Sequence, residues 1–222
     1  MIRALLLLVA GFALVGARPA PDWSNTFSTT PTGAFVRGNP AAKVRLVEYM
    51  SFTCDHCARF ATQSAQPLAR DYIAKGTVAV EFRNAVRDGV DLTAALLARC
   101  GGPARGFGTA LAIFAEHDAI LQRFSAYAPR MPDADLRDVA KTLRHVTRGS
   151  GMDAIMRRRG FTPAQVEACL SDKAAFAVVE RSTREAFEER RIEGTPTFLI
   201  NGVQTGGNWA TIEALLRARV AG

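Results

Sequence analysis

The chain has 222 residues and 48% hydrophobic content, enough to bury a sizeable core as one domain, or as one domain carrying an insertion. Its formal net charge is +7, but the basic residues are dispersed over helical stretches. The one cluster, Arg157-Arg158-Arg159, reads as a solvated face, so the charge argues for no nucleic-acid partner.

Met1-Ile2-Arg3 is a short basic start, followed by an apolar run from Ala4 to Val15 and small residues at Val15-Gly16-Ala17. Roughly 13 apolar residues are too few to span a bilayer. The pattern is that of a secretory signal peptide over 1–17, cleaved near Ala17, and it predicts export to the periplasm. Residues 18–41 are rich in Pro, Ser, Thr and Gly and read as an N-terminal tail with one short edge strand at Phe35-Val36. From Lys43 to Met50 a strand is expected, with Val44, Leu46 and Met50 on one face and Val47 and Tyr49 on the other. Glu48 falls on the first of these faces, where burial raises a carboxylate's pKa.

A helix is expected from the Cys54-Asp55-His56-Cys57 segment to about Lys75, with Ser51 or Thr53 as N-cap, a kink at Pro67 and a stop at Gly76. Thr77 to Arg83 alternates as a second strand. From 89 to 182 only helical spacing is found: Phe107, Leu111, Phe114, Leu121 and Phe124; Leu136, Val139, Leu143 and Val146; then Val166, Cys169 and Leu170 after a Thr162 cap. A longer helix carries Phe176, Val179, Thr183 and Phe187 on one face. Strand character returns at Thr197 to Ile200, Asn201-Gly202 is a hairpin turn into a Val203 strand, and a helix from Trp209 to Val220 closes the chain. The expected fold class is α/β: one domain of 42–88 and 183–222, interrupted by an all-helical insertion over 89–182.

Two cysteines three positions apart at a helix N-terminus allow three readings. A zinc site needs two further ligands at tight spacing, but Cys100, Cys169, His117 and His145 are isolated, so no metal is expected. A structural bridge closing so small a loop adds little stability. Thiol–disulfide exchange suits the placement, because backbone N–H groups and the helix dipole favour a thiolate. Cys54, nearer the helix end and expected to be the more exposed, is then the nucleophile and Cys57 the resolving thiol. A protonated His56 would add positive charge beside the thiolate and Asp55 would oppose it. Gly194-Thr195-Pro196-Thr197-Phe198 is the second signal, a proline at the first position of a strand.

With Val47-Glu48-Tyr49-Met50-Ser51-Phe52-Thr53-Cys54-Asp55-His56-Cys57, Thr195-Pro196 and a helical insertion between them, the chain resembles the DsbA-like periplasmic thiol:disulfide oxidoreductases of the thioredoxin superfamily. The resemblance covers residues 33–222 and implies a thioredoxin fold. It also implies attack at Cys54, resolution by Cys57, a buried Glu48 that assists proton transfer, and a cis Pro196 beside which an extended substrate pairs near Thr195. A Thr195 hydroxyl can also donate to the Cys54 sulfur. The implied partners are unfolded secreted proteins with thiols and a membrane oxidase that regenerates the disulfide, with no cofactor. The 24 residues from Arg18 to Ala41 are too few for the dimerisation domain of isomerase relatives, so a monomer is expected. The alternatives are an isomerase or reductase working through the same mixed disulfide, or a peptide-binding holdase. Cys100 and Cys169 are either buried thiols or, as an oxidising compartment favours, a structural disulfide worth on the order of 4 kcal/mol by loop entropy. His117 and His145 are expected on helix surfaces.

Overall fold

The computed structural model describes residues 21–132 and 137–222. The expected leader over 1–17, the first residues of the tail, and Leu136 lie outside the described residues. Six strands form one sheet in the order β1-β2-β4-β3-β5-β6. Its centre is β3 (Val44–Met50), parallel to β4 (Val78–Asn84) and antiparallel to β5 (Thr197–Ile200). The β6 strand (Val203–Thr205) returns from β5 through Asn201 and Gly202, whose φ angles of 50° and 85° fit the expected hairpin turn. On the other edge β2 (Phe35–Arg37) pairs with β4, and β1 (Phe27–Thr29) lies outside it. The segment expected as a tail with one strand therefore adds two.

Alternation along β3 separates two faces. Val44, Leu46, Val80, Phe198 and Ile200 pack under α1 (Asp55–Pro67) and α9 (Trp209–Ala221), through Phe60, Trp209, Ile212 and Leu216. Val47, Tyr49 and Leu199 face the other way, onto Ala85, Ala186 and Ile192. Pro67 ends the regular part of α1, but the axis continues as a π-helical turn over Leu68–Ile73. The missing N–H at residue 67 is absorbed by a wider hydrogen-bond register.

The helical block comprises α2 (Gly89–Arg99), α3 (Gly102–Ala115), α4 (His117–Tyr127), α5 (Val139–Gly149), α6 (Met152–Arg158), α7 (Pro163–Leu170) and α8 (Lys173–Arg184). Asp88, Asp138 and Asp172 cap three of them, and Thr162 forms a capping box with Gln165 at α7. The run from Phe107 to Phe124 is broken at Glu116, so it forms two helices rather than one. A π-helical turn carries α8 on to Glu189, across the expected boundary at 182/183. At Gly106 a Cβ would lie 2.6 Å from the Phe35 ring, so glycine lets α3 close onto β2. Arg157 and Arg158 pair with Asp153 and Glu116 on the exposed side of α6. No helix among the described residues is long and apolar enough to cross a membrane.

The core of the helical block, with Leu96, Leu97, Ile113, Met152, Ile155 and Met156, also takes in Met50, Phe52, Cys54 and Cys57. The CxxC segment thus lies on the seam between block and sheet.

Candidate active site

Strand β3 delivers Ser51-Phe52-Thr53 to the seam, and Cys54, not Ser51 or Thr53, is the N-cap of α1, with extended φ −97° and ψ 116°. The two hydroxyls expected as caps are engaged elsewhere. Ser51 Oγ donates to Asp91 Oδ2 at 2.5 Å, and Thr53 Oγ1 donates to Asp88 Oδ2 at 2.7 Å. Asp91, fully buried in the first turn of α2, also accepts from the Phe52 N–H at 2.7 Å and the Arg87 N–H at 3.0 Å. Burial holds its carboxyl up at about 6 against these donors. Phe52 stacks on Phe114 with ring centroids 4.7 Å apart. The loop before Cys54 is therefore fixed by the first turn of α2 and by α3, groups that local sequence reasoning missed. Their one sequence signal is the Asp88-x-x-Asp91 helix start.

Cys54 and Cys57 are free thiols, 4% and 0% exposed, so Cys54 is less open than its helix-end position predicts. The packing of Phe52 against the helical block covers it. Cys54 Sγ donates to the Thr195 carbonyl at 3.1 Å across a cis Thr195–Pro196 bond. The Cys54 thiol is pulled down to about 5, first by the hydrogen bond from Cys57, then by the Thr195 side chain and the Cys57 and His56 N–H groups, against the cost of burial. Thr195 Oγ1 is buried and has no hydrogen-bond partner among the described residues while Cys54 donates to the carbonyl. A Cys54 thiolate supplies an acceptor. Burial pushes the Cys57 thiol up, reinforced by its hydrogen bond to Cys54 and by Glu48. Two thiols three residues apart are thus driven in opposite directions.

Glu48 sits under the pair, 4% exposed, with Oε1 lacking a hydrogen-bond partner among the described residues. Burial and then the negative Cys54 raise its carboxyl to about 8. His56 departs from its expected place beside the sulfur. Its exposed ring turns outward, with Nδ1 2.7 Å from Arg59 Nη2, while Arg59 Nη1 donates to Asp55 Oδ2 at 2.8 Å. A guanidinium only donates, so Nδ1 accepts and the ring carries its proton on Nε2. Positive charge at this rim comes from Arg59, which also pairs with Asp55. His56 acts on Cys54 through its backbone N–H. The one signal for Arg59 is its i,i+4 spacing from Asp55.

A cleft of about 570 Å³ lies between α1 and the Pro196 loop, lined by His56, Arg59, Gln63, Thr195, Pro196 and Asn208. Cys100 and Cys169 are bridged in the helical block, 69 positions apart with Cα atoms separated by 5.5 Å. His145 is half-buried against Tyr127, and His117 is 6% exposed, not a surface residue, with Nδ1 2.7 Å from Asp118. His117 stands at the start of α4, which packs against α1 and α5. No group of three or more His, Cys, Asp or Glu is placed to hold a metal among the described residues.

A mixed sheet with a CxxC at the first helix, a facing cis-proline and a buried acid defines a thioredoxin fold with a thiol site. A family model described as thioredoxin matches residues 29–218. The chain is 31% identical over 170 residues to a protein named protein-disulfide oxidoreductase from Rickettsia bellii, covering 77% of this chain and 58% of that protein. For its counterpart in Rickettsia conorii the figures are 30%, 77% and 54%. The chain therefore spans little more than half the length of these curated relatives. A solved protein-disulfide isomerase from Novosphingobium aromaticivorans is similar at a TM-score of 0.72 and 31% identity, covering 83% of this chain and 96% of that one. Alpha-DsbA1 of Wolbachia pipientis shares the fold at a TM-score of 0.68 and 20% identity, over 87% and 94%. The chain belongs to the thioredoxin family that the matching family model describes.

Proposed function

We propose that this protein is an exported thiol:disulfide oxidoreductase that introduces disulfides into secreted proteins in the periplasm through Cys54 and Cys57. The observation that carries the reading is the opposed pair of thiols, Cys54 held down to about 5 and Cys57 pushed up. In the oxidised protein a substrate thiolate attacks Cys54 Sγ, the Cys54–Cys57 bond breaks, and a mixed disulfide forms. Cys57 leaves as a thiolate and takes the proton that Glu48 holds. A second substrate thiolate attacks the substrate sulfur of the mixed disulfide, forms the product disulfide and expels Cys54 as a thiolate. The substrate leaves oxidised by two electrons, and a membrane oxidase restores the Cys54–Cys57 bond.

The expulsion of Cys54 is favoured because its thiolate is stable. A thiol at about 5 is two units below neutral pH, which stabilises the dithiol form and raises the potential by roughly 60 mV at about 30 mV per unit. The substrate lies in the cleft beside Pro196, its backbone pairing near Thr195, and the protein works as a monomer without a cofactor. The name of the Novosphingobium relative favours a second reading, isomerase action on the same mixed disulfide. Titration of the Cys54–Cys57 couple against glutathione separates the two. A potential well above that of thioredoxin, about −270 mV, supports the oxidase, and a value near it defeats the assignment.

A further inference from the structure

The turn between β1 and β2 meets β4, α2 and α8 at a small cavity of about 10 Å³, roughly the room that one water-sized particle needs. Three arginines line it, Arg83, Arg99 and Arg181, against one acid, Glu185. Glu185 is already engaged: its Oε1 accepts from Arg83 Nη1 at 2.5 Å and from the Tyr49 hydroxyl at 2.8 Å. Arg83 is paired with Glu81 as well, at 2.7 Å. Arg99 and Arg181 are placed differently. Each spends one nitrogen on the turn, Arg99 Nη2 on the Gly33 carbonyl at 2.6 Å and Arg181 Nη2 on the Thr32 carbonyl at 2.9 Å. Neither makes an ion pair with a carboxylate among the described residues.

The cost of this arrangement falls on Arg99. Its guanidinium lies over the Phe35 ring, 4.2 Å from the centroid, and its Nε is buried with no hydrogen-bond partner among the described residues. Burial pulls it down to about 10, with Asp172 acting against the shift and Arg181 adding to it. Asp172 is itself the cap of α8 and gives its Oδ1 to the Ala174 and Ala175 N–H groups. Ser182 Oγ, on the same cavity wall, is also buried without a partner among the described residues. Asn84, 8% exposed, completes the wall with an amide that makes no hydrogen bond to another described residue. Unused donors around two positive charges are what an anion satisfies, since hydrogen bonds to a charged acceptor are about twice as strong as neutral ones. A cavity of this size excludes carboxylates, phosphates and other polyatomic anions, and it admits a monatomic one.

We propose that this cavity is a binding site for a single chloride ion, held by Arg99, Arg181, Ser182 and Asn84. Its effect is to lock the β1–β2 turn onto the helices it meets. Arg99 and Arg181 already hold the two carbonyls of that turn, and Gly33 approaches so closely that a Cβ would lie 2.6 Å from Val178 of α8. An anion between the two guanidiniums converts their mutual repulsion into a shared attraction. The turn, the end of α2 and the middle of α8 are then stabilised as one unit.

The test follows thermal unfolding of the protein while sodium chloride replaces sodium gluconate at constant ionic strength. The melting temperature should rise by about 3–6 °C for each tenfold increase in chloride above its dissociation constant, as binding to the native state alone requires. Sodium bromide should reproduce the rise and sodium gluconate should not. In a crystal grown with bromide, the anomalous signal should fall between Arg99 and Ser182. Ser182→Ala removes one donor and no charge, and should weaken the apparent chloride affinity about tenfold. Arg181→Gln should weaken it about a hundredfold, and Ser182→Ala guards against misfolding of that variant. Melting temperatures that coincide in chloride and gluconate overturn the proposal. A chloride response undiminished in both folded variants overturns it too, as does bromide bound only elsewhere on the molecule.

Discussion

The two cysteine pairs of this protein show how differently the same side chain is used in one fold. Cys54 and Cys57 are three positions apart, unbridged, and surrounded by groups that discriminate between a thiol and a thiolate: the Thr195 hydroxyl, two N–H groups and Glu48. Cys100 and Cys169 are 69 positions apart and bridged, Cys100 at the end of α2 and Cys169 within α7. A long loop gives a bridge its stabilising effect on the unfolded chain, and a tight pair gains almost none. The reactive pair thus depends on its surroundings, and the structural pair on the length of chain it closes.

Exchanging the roles of the pairs is the most direct way to break that contrast. Cys54→Ala should abolish disulfide exchange, a loss of about 10³-fold or more, with the unfolding midpoint of the reduced protein little changed at pH 5, where the Cys54 thiolate adds almost no stability. Oxidation of a dithiol peptide reads the first and thermal denaturation the second. Cys100→Ala with Cys169→Ala should do the reverse, lowering stability by about 2–4 kcal/mol in denaturant titrations while the exchange rate stays within about twofold.

The acid under the reactive pair sharpens the contrast through pH. Glu48→Gln should slow resolution by Cys57 about 10²-fold, measured in single turnovers. It should also change the pH dependence of stability. Glu48 goes from 4.5 unfolded to about 8 folded, so the native state holds a proton that the unfolded chain releases, and stability falls as pH rises through that window. Cys54 runs the other way, from 9.0 to about 5, so the reduced protein gains stability as pH rises from about 5 to 9. The two slopes oppose each other in the wild type. In Glu48→Gln only the Cys54 slope remains, and denaturation of the reduced protein at pH 6 and 8 should show the higher stability at pH 8.

Smaller effects test the rim. Thr195→Val removes the hydroxyl donor to the Cys54 thiolate and should raise that pKa by about one unit, lowering the potential by about 30 mV. Thiolate absorbance and glutathione titration measure the two. Arg59→Gln should move the Cys54 pKa least, by a few tenths of a unit, because the Arg59–Asp55 pair is more than half exposed and screened by water.

What could be read along the chain was whatever repeats within a few residues. The alternation of β3 placed Glu48 inside, Asn201-Gly202 marked its hairpin, and Thr162 marked a helix start. What could not be read acts across long stretches of sequence. Asp91 grips the Phe52 N–H from 39 positions away, and nothing near Cys54 announces it. Arg59 intercepts His56 through a geometry that exists only once α1 is wound. The β1 strand is three residues, Phe27-Ser28-Thr29, with no alternation to detect, and it forms because β2 offers an edge. His117 looked like a surface residue at a helix start and is buried, at the start of a helix that packs against α1 and α5.

The stacking of Phe52 on Phe114 makes the helical block difficult to treat as a detachable part. Excising it to engineer a minimal scaffold would leave Met50, Phe52 and Cys57 facing water, all three now 3% exposed or less. It would also remove the Asp91 anchor of the loop. The block is therefore part of the wall behind the reactive sulfur, and a chimera exchanging such blocks between relatives should carry the residues facing Phe52 with it.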